Sequence, residues 1–134
     1  DYCNKLISLN EKLKDQNGNH NVEILYGVPR EKISEYTKHA YACVISSNYE
    51  YYPITIVESL AVGNPFISTD VGIVNLLPGG VIANTQQEIS YWMEFFGQNE
   101  EYKMELGKAG RNYALKNLRI ETKVKALEDI IRGK

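Results

Sequence analysis

The chain has 134 residues, of which 43% are hydrophobic and 24% are charged, and its formal net charge is -2. This composition is that of one ordinary folded domain, and the near balance of charge excludes the basic footprint expected for binding nucleic acid or an anionic membrane. No apolar run is long enough to span a bilayer and no signal peptide begins the chain, so a cytoplasmic location is expected.

Apolar spacing predicts the elements in chain order. Helices are expected at residues 2–16, 29–39, 54–62, 86–97, 100–116 and 119–132, with a short helical turn at 74–77. Strands are expected at residues 22–25, 42–45, 66–68 and 80–83. A breaker run at residues 16–21 ends the first helix, and Gly63-Asn64-Pro65 ends the third.

This order of elements predicts the fold class. Strands that alternate with helices indicate an α/β protein with a Rossmann-like, doubly wound parallel sheet, right-handed crossovers and helices on both faces. Ligands of such sheets bind at the carboxyl ends of the strands. The loops expected there are residues 26–29, 46–53 and 69–73.

Cysteine and histidine are scarce and scattered. Cys3 falls in a predicted helix and Cys43 in a predicted buried strand, so both are interpreted as small core residues. His20 lies in a polar turn and His39 at a helix end, with no paired acids or cysteines beside them. No metal site is expected.

Glu50 and Glu58 have seven residues between them, across a segment that passes from a predicted strand into a helix begun by Pro53. Proline is tolerated there because the first amides of a helix have no intrahelical partner. The helix is apolar on nearly all sides, which predicts that it is buried, and a buried carboxylate needs a partner. Ligand hydroxyls could supply one. From spacing alone, a solvated Glu50 and a Glu58 paired with a lysine or an amide are favoured instead.

The position of these acids at the binding edge of the sheet favours the ligand interpretation. Gly72 lies at the same edge, in the loop after the next strand. Tyr49, Tyr51 and Tyr52 could stack on a base or a sugar, although most of them are interpreted as packing residues. For Asp70, two interpretations are weighted equally: it contacts the ligand, or it accepts hydrogen bonds from the amides of its own turn.

The stretch from Glu50 to Gly72 reads EYYPITIVESLAVGNPFISTDVG. It resembles the motif of the retaining glycosyltransferases of the GT-B fold called family 4 or group 1, in which Glu, seven residues and Glu precede x-G-x-P-V-I-A-S/T-D-x-G. The residues in register are Glu50, Pro53, Glu58, Ala61, Gly63, Pro65, Asp70 and Gly72. The resemblance is to the carboxyl-terminal, donor-binding domain, and it covers essentially all of residues 1–134 as a single nucleotide-sugar-binding domain.

The resemblance implies a function. A hexosyl group would pass from a nucleotide-sugar to an acceptor with retention and without a metal or other cofactor, in the synthesis of a cell-surface polysaccharide or glycoconjugate. Glu50 would be the catalytic residue at the transferred sugar, and Glu58 would bind the ribose hydroxyls. The remaining donor-binding positions would be the amides of Tyr51 and Tyr52, the helix start at Pro53 and Ile54, the Gly27-Val28 loop against the base, and Gly72.

The chain also departs from the family pattern. Tyr51 and Ile73 stand where the family often has glycine. The family domain begins with two further strands, whose first loop gives an Arg and a Lys to the diphosphate, and a separate amino-terminal domain binds the acceptor. The resemblance therefore implies a fragment of a two-domain enzyme, inactive alone, that would associate with the inner face of a membrane only through its missing parts.

Two other interpretations remain open. The chain could be a non-catalytic relative that keeps the fold in order to bind a partner or to stabilise a true transferase. Alternatively, Glu50 and Glu58 could be the acid and nucleophile of a glycosidase, whose carboxyl groups lie ~5 to 9 Å apart. Such pairs are not expected on one strand-helix corner of a doubly wound sheet, which disfavours the second alternative.

Overall fold

A computed structural model of the chain describes residues 2–17 and 22–133. Contacts within the chain divide it into two compact units, Asp1–Ile33 and Ser34–Lys134. The boundary falls inside one helix. Among the described residues, no helix has the length and apolar character needed to cross a membrane.

The first unit contains helix α1, Tyr2–Asn17, which confirms the helix expected at residues 2–16. The Asn10 side-chain amide donates to the Val22 carbonyl oxygen at 3.2 Å and so joins α1 to the segment that follows. Most of the predicted breaker run, residues 18–21 with His20, lies outside the described residues. The strand predicted at residues 22–25 is wrong, because residues 22–26 form no regular secondary structure. A strand needs a neighbour for its backbone groups, and the strands that the structure describes pair only with one another.

The remaining elements follow the predicted order with small shifts at their ends. They are α2 Arg30–His39, β1 Cys43–Ile45, α3 Ile54–Val62, β2 Phe66–Ser68, a 3₁₀ turn Val74–Leu76, β3 Gly80–Ile82, α4 Gln86–Gln98, α5 Glu100–Tyr113, a π-helical turn Ala114–Leu118 and α6 Ile120–Ile131. The helix expected to run through to residue 116 therefore leaves α-helical geometry after Tyr113.

The sheet of the second unit has the order β1-β2-β3, and both neighbouring pairs are parallel. Val44 of β1 lies opposite Ile67 of β2, which in turn lies opposite Val81 of β3. β1 and β2 are joined through α3, and β2 and β3 through the 3₁₀ turn. Parallel strands with helices packed on them give an open α/β sheet of the Rossmann-like type, and this confirms the predicted fold class.

Each face of the sheet has its own apolar core. Successive residues of a strand point to opposite faces, so neighbouring residues of β2 belong to different cores. Phe66 belongs to a core with buried residues of α3, of the segment after β2 and of the π-helical turn, namely Ile56, Leu60, Val71, Val74, Leu77 and Ala114. Ile67, next along β2, belongs to a second core with Ala83 and Phe96, against which Trp92 of α4 also packs. Burial of Cys43 raises the pKa of its thiol, which agrees with the predicted core role, while a hydrogen bond with Ser59 acts in the opposite direction.

Helix α3 is buried on one side, and the expectation that it is buried on nearly all sides is wrong. Ile56, Ser59 and Leu60 are completely buried. The side chain of Ile54 is 59% exposed, and Ala61 is exposed as well. The helix packs against β1, β2, α5 and the π-helical turn.

Close packing of α5 on α3 depends on small residues. A Cβ atom at Gly107 would lie 2.1 Å from the carbonyl oxygen of Gly63, and one at Gly110 would lie 2.4 Å from Cδ2 of Leu60. The backbones therefore approach one another at the carboxyl end of α3. This contact packs α5 on the carboxyl end of α3, and the opposite, amino end of the helix follows the loop that leaves the carboxyl end of β1.

Candidate functional site at the carboxyl edge of the sheet

The loop between β1 and α3 carries Glu50 and is tied to the loop after β2. The Ser47 hydroxyl donates to Oε1 of Glu50 at 3.1 Å. The Thr69 hydroxyl donates to the carbonyl oxygen of Ser47 at 2.7 Å, and the Thr69 amide donates to the carbonyl oxygen of Ile45 at 3.1 Å. Glu50, Ser47 and Thr69 are all half-buried. Hydrogen bonds from Thr69, at the end of β2, thus hold the loop that follows β1.

Gly72 strengthens the same contact between the two loops. Its φ is +55°, in the left-handed region that glycine adopts readily. A Cβ atom at this position would lie 2.3 Å from the carbonyl oxygen of Tyr51 and 2.8 Å from that of Glu50. Gly72 therefore permits a close backbone approach, as its residue type suggested, and the backbone that approaches is that of the Glu50 loop.

Glu58 is held in a different way, by the regular geometry of α3. Pro53 is buried and lies immediately before the helix, where its carbonyl oxygen accepts from the amides of Ile56 at 3.1 Å and Val57 at 3.4 Å. Glu58 follows in the second turn and is half-buried. The amino end of α3 thus lies between the loop that carries Glu50 and the turn that carries Glu58.

The amino end of α3 has no side-chain cap from its N-cap residue. That residue is Pro53, and the first turn of α3 contains no acidic residue. Helix amino ends carry partial positive charge and unpaired amides, so they attract anions. The edge therefore combines acceptors for hydroxyl groups with donors for an anion.

The tyrosines of the Glu50 loop are exposed. The side chains of Tyr49 and Tyr51 are each 82% exposed and that of Tyr52 is 43% exposed. The interpretation of most of them as packing residues is wrong, because the loop carries them out beyond the end of β1 into solvent. Tyr51 and Tyr52 remain adjacent to Glu50, as the sequence required.

A third loop, after β3, continues the polar contacts along the edge. The Asp70 amide donates to Oδ1 of Asn84 at 2.9 Å. The amides of Asn84 and Thr85 donate to Oε2 of Glu88 at 2.7 Å and 2.9 Å, and the Thr85 hydroxyl accepts from the Glu88 amide at 3.2 Å. The Asn84 and Thr85 amides hold the pKa of the Glu88 carboxyl below its usual value. This reciprocal pair is a capping box at the start of α4.

Sequence reasoning did not single out Ser47, Thr69, Asn84 or Glu88. Signals for them exist. Ser47 and Thr69 follow predicted strands at the binding edge, and Thr85 with Glu88 matches the spacing of a capping box. The contact of Thr69 with Ser47 spans 22 residues, and local patterns do not report contacts at such separations.

Two further predicted site residues belong to the first unit. Gly27 is exposed with a φ of +65°, and Val28 is half-buried. Glu50, Glu58 and Gly72 belong to the second unit. Within residues 2–17 and 22–133, no three His, Cys, Asp or Glu side chains form a group that could hold a metal ion.

One comparison with known proteins identifies a family. The family model described as "Glycosyl transferases group 1" matches residues 5–113, which include the whole carboxyl edge described above. No curated protein matches the chain significantly.

Proposed function

The chain belongs to the group 1 glycosyltransferases, and on that premise we propose that it is the donor-binding part of a retaining, family 4 enzyme of the GT-B fold. The donor is a nucleotide-sugar, and it binds at the carboxyl edge of the sheet. The observation that carries this proposal is that Glu50 lies in the loop before α3 and Glu58 in the second turn of α3, with the amino end of the helix between them along the chain. In a nucleotide-sugar, the hydroxyl groups of the ribose and of the sugar lie on either side of a diphosphate. The two carboxylates at this edge can accept from the hydroxyl groups, and the amino end of α3 can bind the diphosphate.

Glu58 binds the ribose in this proposal. It is half-buried in the second turn of α3. A carboxylate can accept from two hydroxyl groups at once, and adjacent ribose hydroxyls are donors of that kind.

Glu50 acts on the transferred hexosyl group. The Ser47 hydroxyl engages Oε1 at 3.1 Å, and a carboxylate has capacity for further donors, so sugar hydroxyls can bind the same side chain. Its negative charge also favours the positive charge that develops at the anomeric carbon as the leaving group departs. Glu50 is therefore the proposed catalytic residue.

The diphosphate lies at the start of α3. The N–H groups of Tyr51 and Tyr52 precede Pro53, which has no amide hydrogen, and the N–H of Ile54 follows it. The helix dipole and these donors favour negative charge without requiring a metal ion. Gly72 keeps the backbone of the next loop close to this segment.

The reaction is a substitution at the anomeric carbon. The bond from that carbon to the diphosphate oxygen breaks, and a bond to an acceptor hydroxyl oxygen forms on the same face of the sugar. The proton of the acceptor hydroxyl passes to the departing diphosphate, so charge and atoms balance. The acceptor, a growing polysaccharide or glycoconjugate, is bound by the amino-terminal domain that the family implies.

Titration calorimetry of the full-length protein tests this proposal. UDP, GDP, ADP and their common sugar conjugates are titrated with and without EDTA, and the anomeric configuration of the transfer product is read by NMR. We expect one nucleotide to bind, EDTA to change nothing and the product to retain the donor configuration. Absence of binding across the panel would overturn the donor site and favour a non-catalytic module. Cleavage of a simple aryl glycoside would favour the glycosidase alternative.

A further inference from the structure

We propose that Ser47 is a positioning residue for Glu50 and that Thr69 anchors Ser47, so that the loop after β2 sets the orientation of the sugar-binding carboxylate. The inference rests on the proposed function, since it concerns what Glu50 does with a bound donor. It assigns a role to two residues that act through Glu50 and not by touching the substrate.

The carboxylate of Glu50 is in direct contact with Ser47. Glu50 lies on a loop, and a glutamate side chain has several rotatable bonds, so its carboxylate takes a defined position only if something holds it. The Ser47 hydroxyl donates to Oε1 of Glu50 at 3.1 Å between two half-buried residues. A hydrogen bond to an ionised acceptor is stronger than a neutral one, so this contact selects one orientation of the carboxylate.

Ser47 is itself held by Thr69, the residue that follows the neighbouring strand β2. The Thr69 hydroxyl donates to the carbonyl oxygen of Ser47 at 2.7 Å, and the Thr69 amide donates to that of Ile45 at 3.1 Å. Thr69 therefore binds the backbone on both sides of Ser46. The hydroxyl of Ser47 projects from a backbone that β2 has fixed in place.

The Glu50 loop has a second contact with the loop after β2, at Gly72. The backbone at Gly72 packs against the carbonyl oxygens of Glu50 and Tyr51, because a Cβ atom added to Gly72 would lie 2.8 Å and 2.3 Å from them. The loop after β2 thus contacts the Glu50 loop at Ser47 through Thr69 and at Glu50 through Gly72. Loss of the hydroxyl contacts would release the carboxylate while leaving the backbone contact at Gly72.

Removal of the Ser47 hydroxyl should affect kcat for transfer and the affinity for the nucleoside diphosphate differently. Glu58 and the amino end of α3 belong to a helix whose buried residues pack in the core, whereas the Ser47 hydroxyl donates to Glu50 and the Thr69 hydroxyl to the Ser47 carbonyl oxygen. Removing the Ser47 hydroxyl should therefore leave affinity for the nucleoside diphosphate unchanged. It should lower kcat by about 10- to 100-fold, the size of effect expected when a reacting group is misplaced by about 1 Å.

The variants that test this are matched in pairs. Ser47→Ala removes the donor, and Ser47→Thr keeps a hydroxyl at the same position. Ser46→Ala removes the hydroxyl of the exposed neighbouring serine. Thr69→Val removes the anchoring hydroxyl with little change of shape, and Thr69→Ser keeps it. Each is made in the full-length protein, with thermal unfolding measured to show that the variant is folded.

Two readouts are taken for each variant: kcat for transfer from the nucleotide-sugar that the wild type uses, and Kd for the matching nucleoside diphosphate. We expect Ser47→Ala and Thr69→Val to lose kcat at unchanged Kd, and Ser47→Thr, Thr69→Ser and Ser46→Ala to keep both. In a Glu50→Gln background, Ser47→Ala should cost little more, because the two residues act as one unit.

The outcomes separate the inference from the proposed function. If wild type shows neither binding nor transfer, the proposed function fails. If wild type is active and Ser47→Ala retains its full kcat, the positioning role is wrong while the donor site stands. A loss of kcat in Ser47→Ala that is equally large in the Glu50→Gln background would also overturn the inference, since Ser47 would then act independently of Glu50.

Discussion

The two acidic residues of the site are held by different kinds of interaction. Glu58 lies on α3, which is fixed by apolar packing of Ile56 and Leu60 against the sheet. Glu50 lies on a loop fixed by hydroxyl and backbone contacts from Thr69 and Gly72. Packing of a helix places a side chain as part of the global fold, whereas polar contacts between loops can be altered one at a time. Mutations in the two regions should therefore have different signatures.

The largest effect on stability is expected in the packed region. Leu60 is completely buried, and Leu60→Ala would leave a cavity beneath α3. We expect the free energy of unfolding to fall by about 2 to 5 kcal/mol, measured by urea denaturation. The control is Ile54→Ala on the same helix, where the side chain is 59% exposed and the change should be within about 0.5 kcal/mol. Equal losses in both variants would contradict the one-sided burial of α3.

The next effect is expected where the two loops touch. Gly72→Ala places a Cβ atom 2.3 Å from the Tyr51 carbonyl oxygen and imposes a positive φ on alanine. We expect a loss of about 2 to 4 kcal/mol in the free energy of unfolding, from strain and overpacking together. Affinity for the nucleotide-sugar should fall as well, because the Glu50 loop must shift. Gly97→Ala, where nothing lies within 4 Å of the new atom, should be neutral or slightly stabilising.

A smaller effect is expected at the third loop, where polar contacts again carry the structure. Thr85→Ala removes the acceptor for the Glu88 amide at the start of α4. Loss of a helix cap should lower the free energy of unfolding by about 1 kcal/mol, and Thr85→Ser should restore it. No change in Thr85→Ala would show that the capping box does not contribute in solution.

The smallest effect is a pH dependence at the same loop. The Asn84 and Thr85 amides lower the pKa of Glu88 from its ordinary value of 4.5 in the folded state. A carboxyl with a lowered folded-state pKa contributes stability above its unfolded pKa, and the contribution is lost as pH falls through the folded pKa. The unfolding midpoint should therefore drop less between pH 6 and the acid side of 4.5 in Glu88→Gln than in wild type. Identical pH profiles would contradict the assigned contacts.

Much of the second unit is predictable from local patterns. β2 and α3 fall at the residues that apolar spacing indicates, because Phe66 and Ile67 serve opposite faces of the sheet and Ile56 and Leu60 share one side of a helix. The strand expected at residues 22–25 does not form. Its apolar residues satisfy the pattern of a strand, but a strand also requires a pairing partner, which a local pattern does not contain.

In the site, as in the fold, positions set by local patterns can be predicted from the sequence, and contacts between distant segments cannot. Glu58 can be placed from the sequence because its position depends on the register of α3. The contacts of Glu50 cannot, because Ser47 is held by Thr69 and the Glu50 backbone by Gly72, both from the next strand end. The exposure of Tyr49 and Tyr51 escapes sequence reasoning for a related reason, since it depends on how far the loop extends beyond β1.

The most direct test of the divided donor site compares two ligands in two variants. Kd values for the nucleotide-sugar and for its nucleoside diphosphate are measured by calorimetry in wild type, Glu50→Gln and Glu58→Gln. Because Glu58 binds the ribose, Glu58→Gln should weaken both ligands by about 10-fold or more, as expected for lost hydrogen bonds to a charged group. Glu50→Gln should weaken the nucleotide-sugar alone. Equal weakening of both ligands by both variants, or by neither, would contradict the division of the donor between the two glutamates.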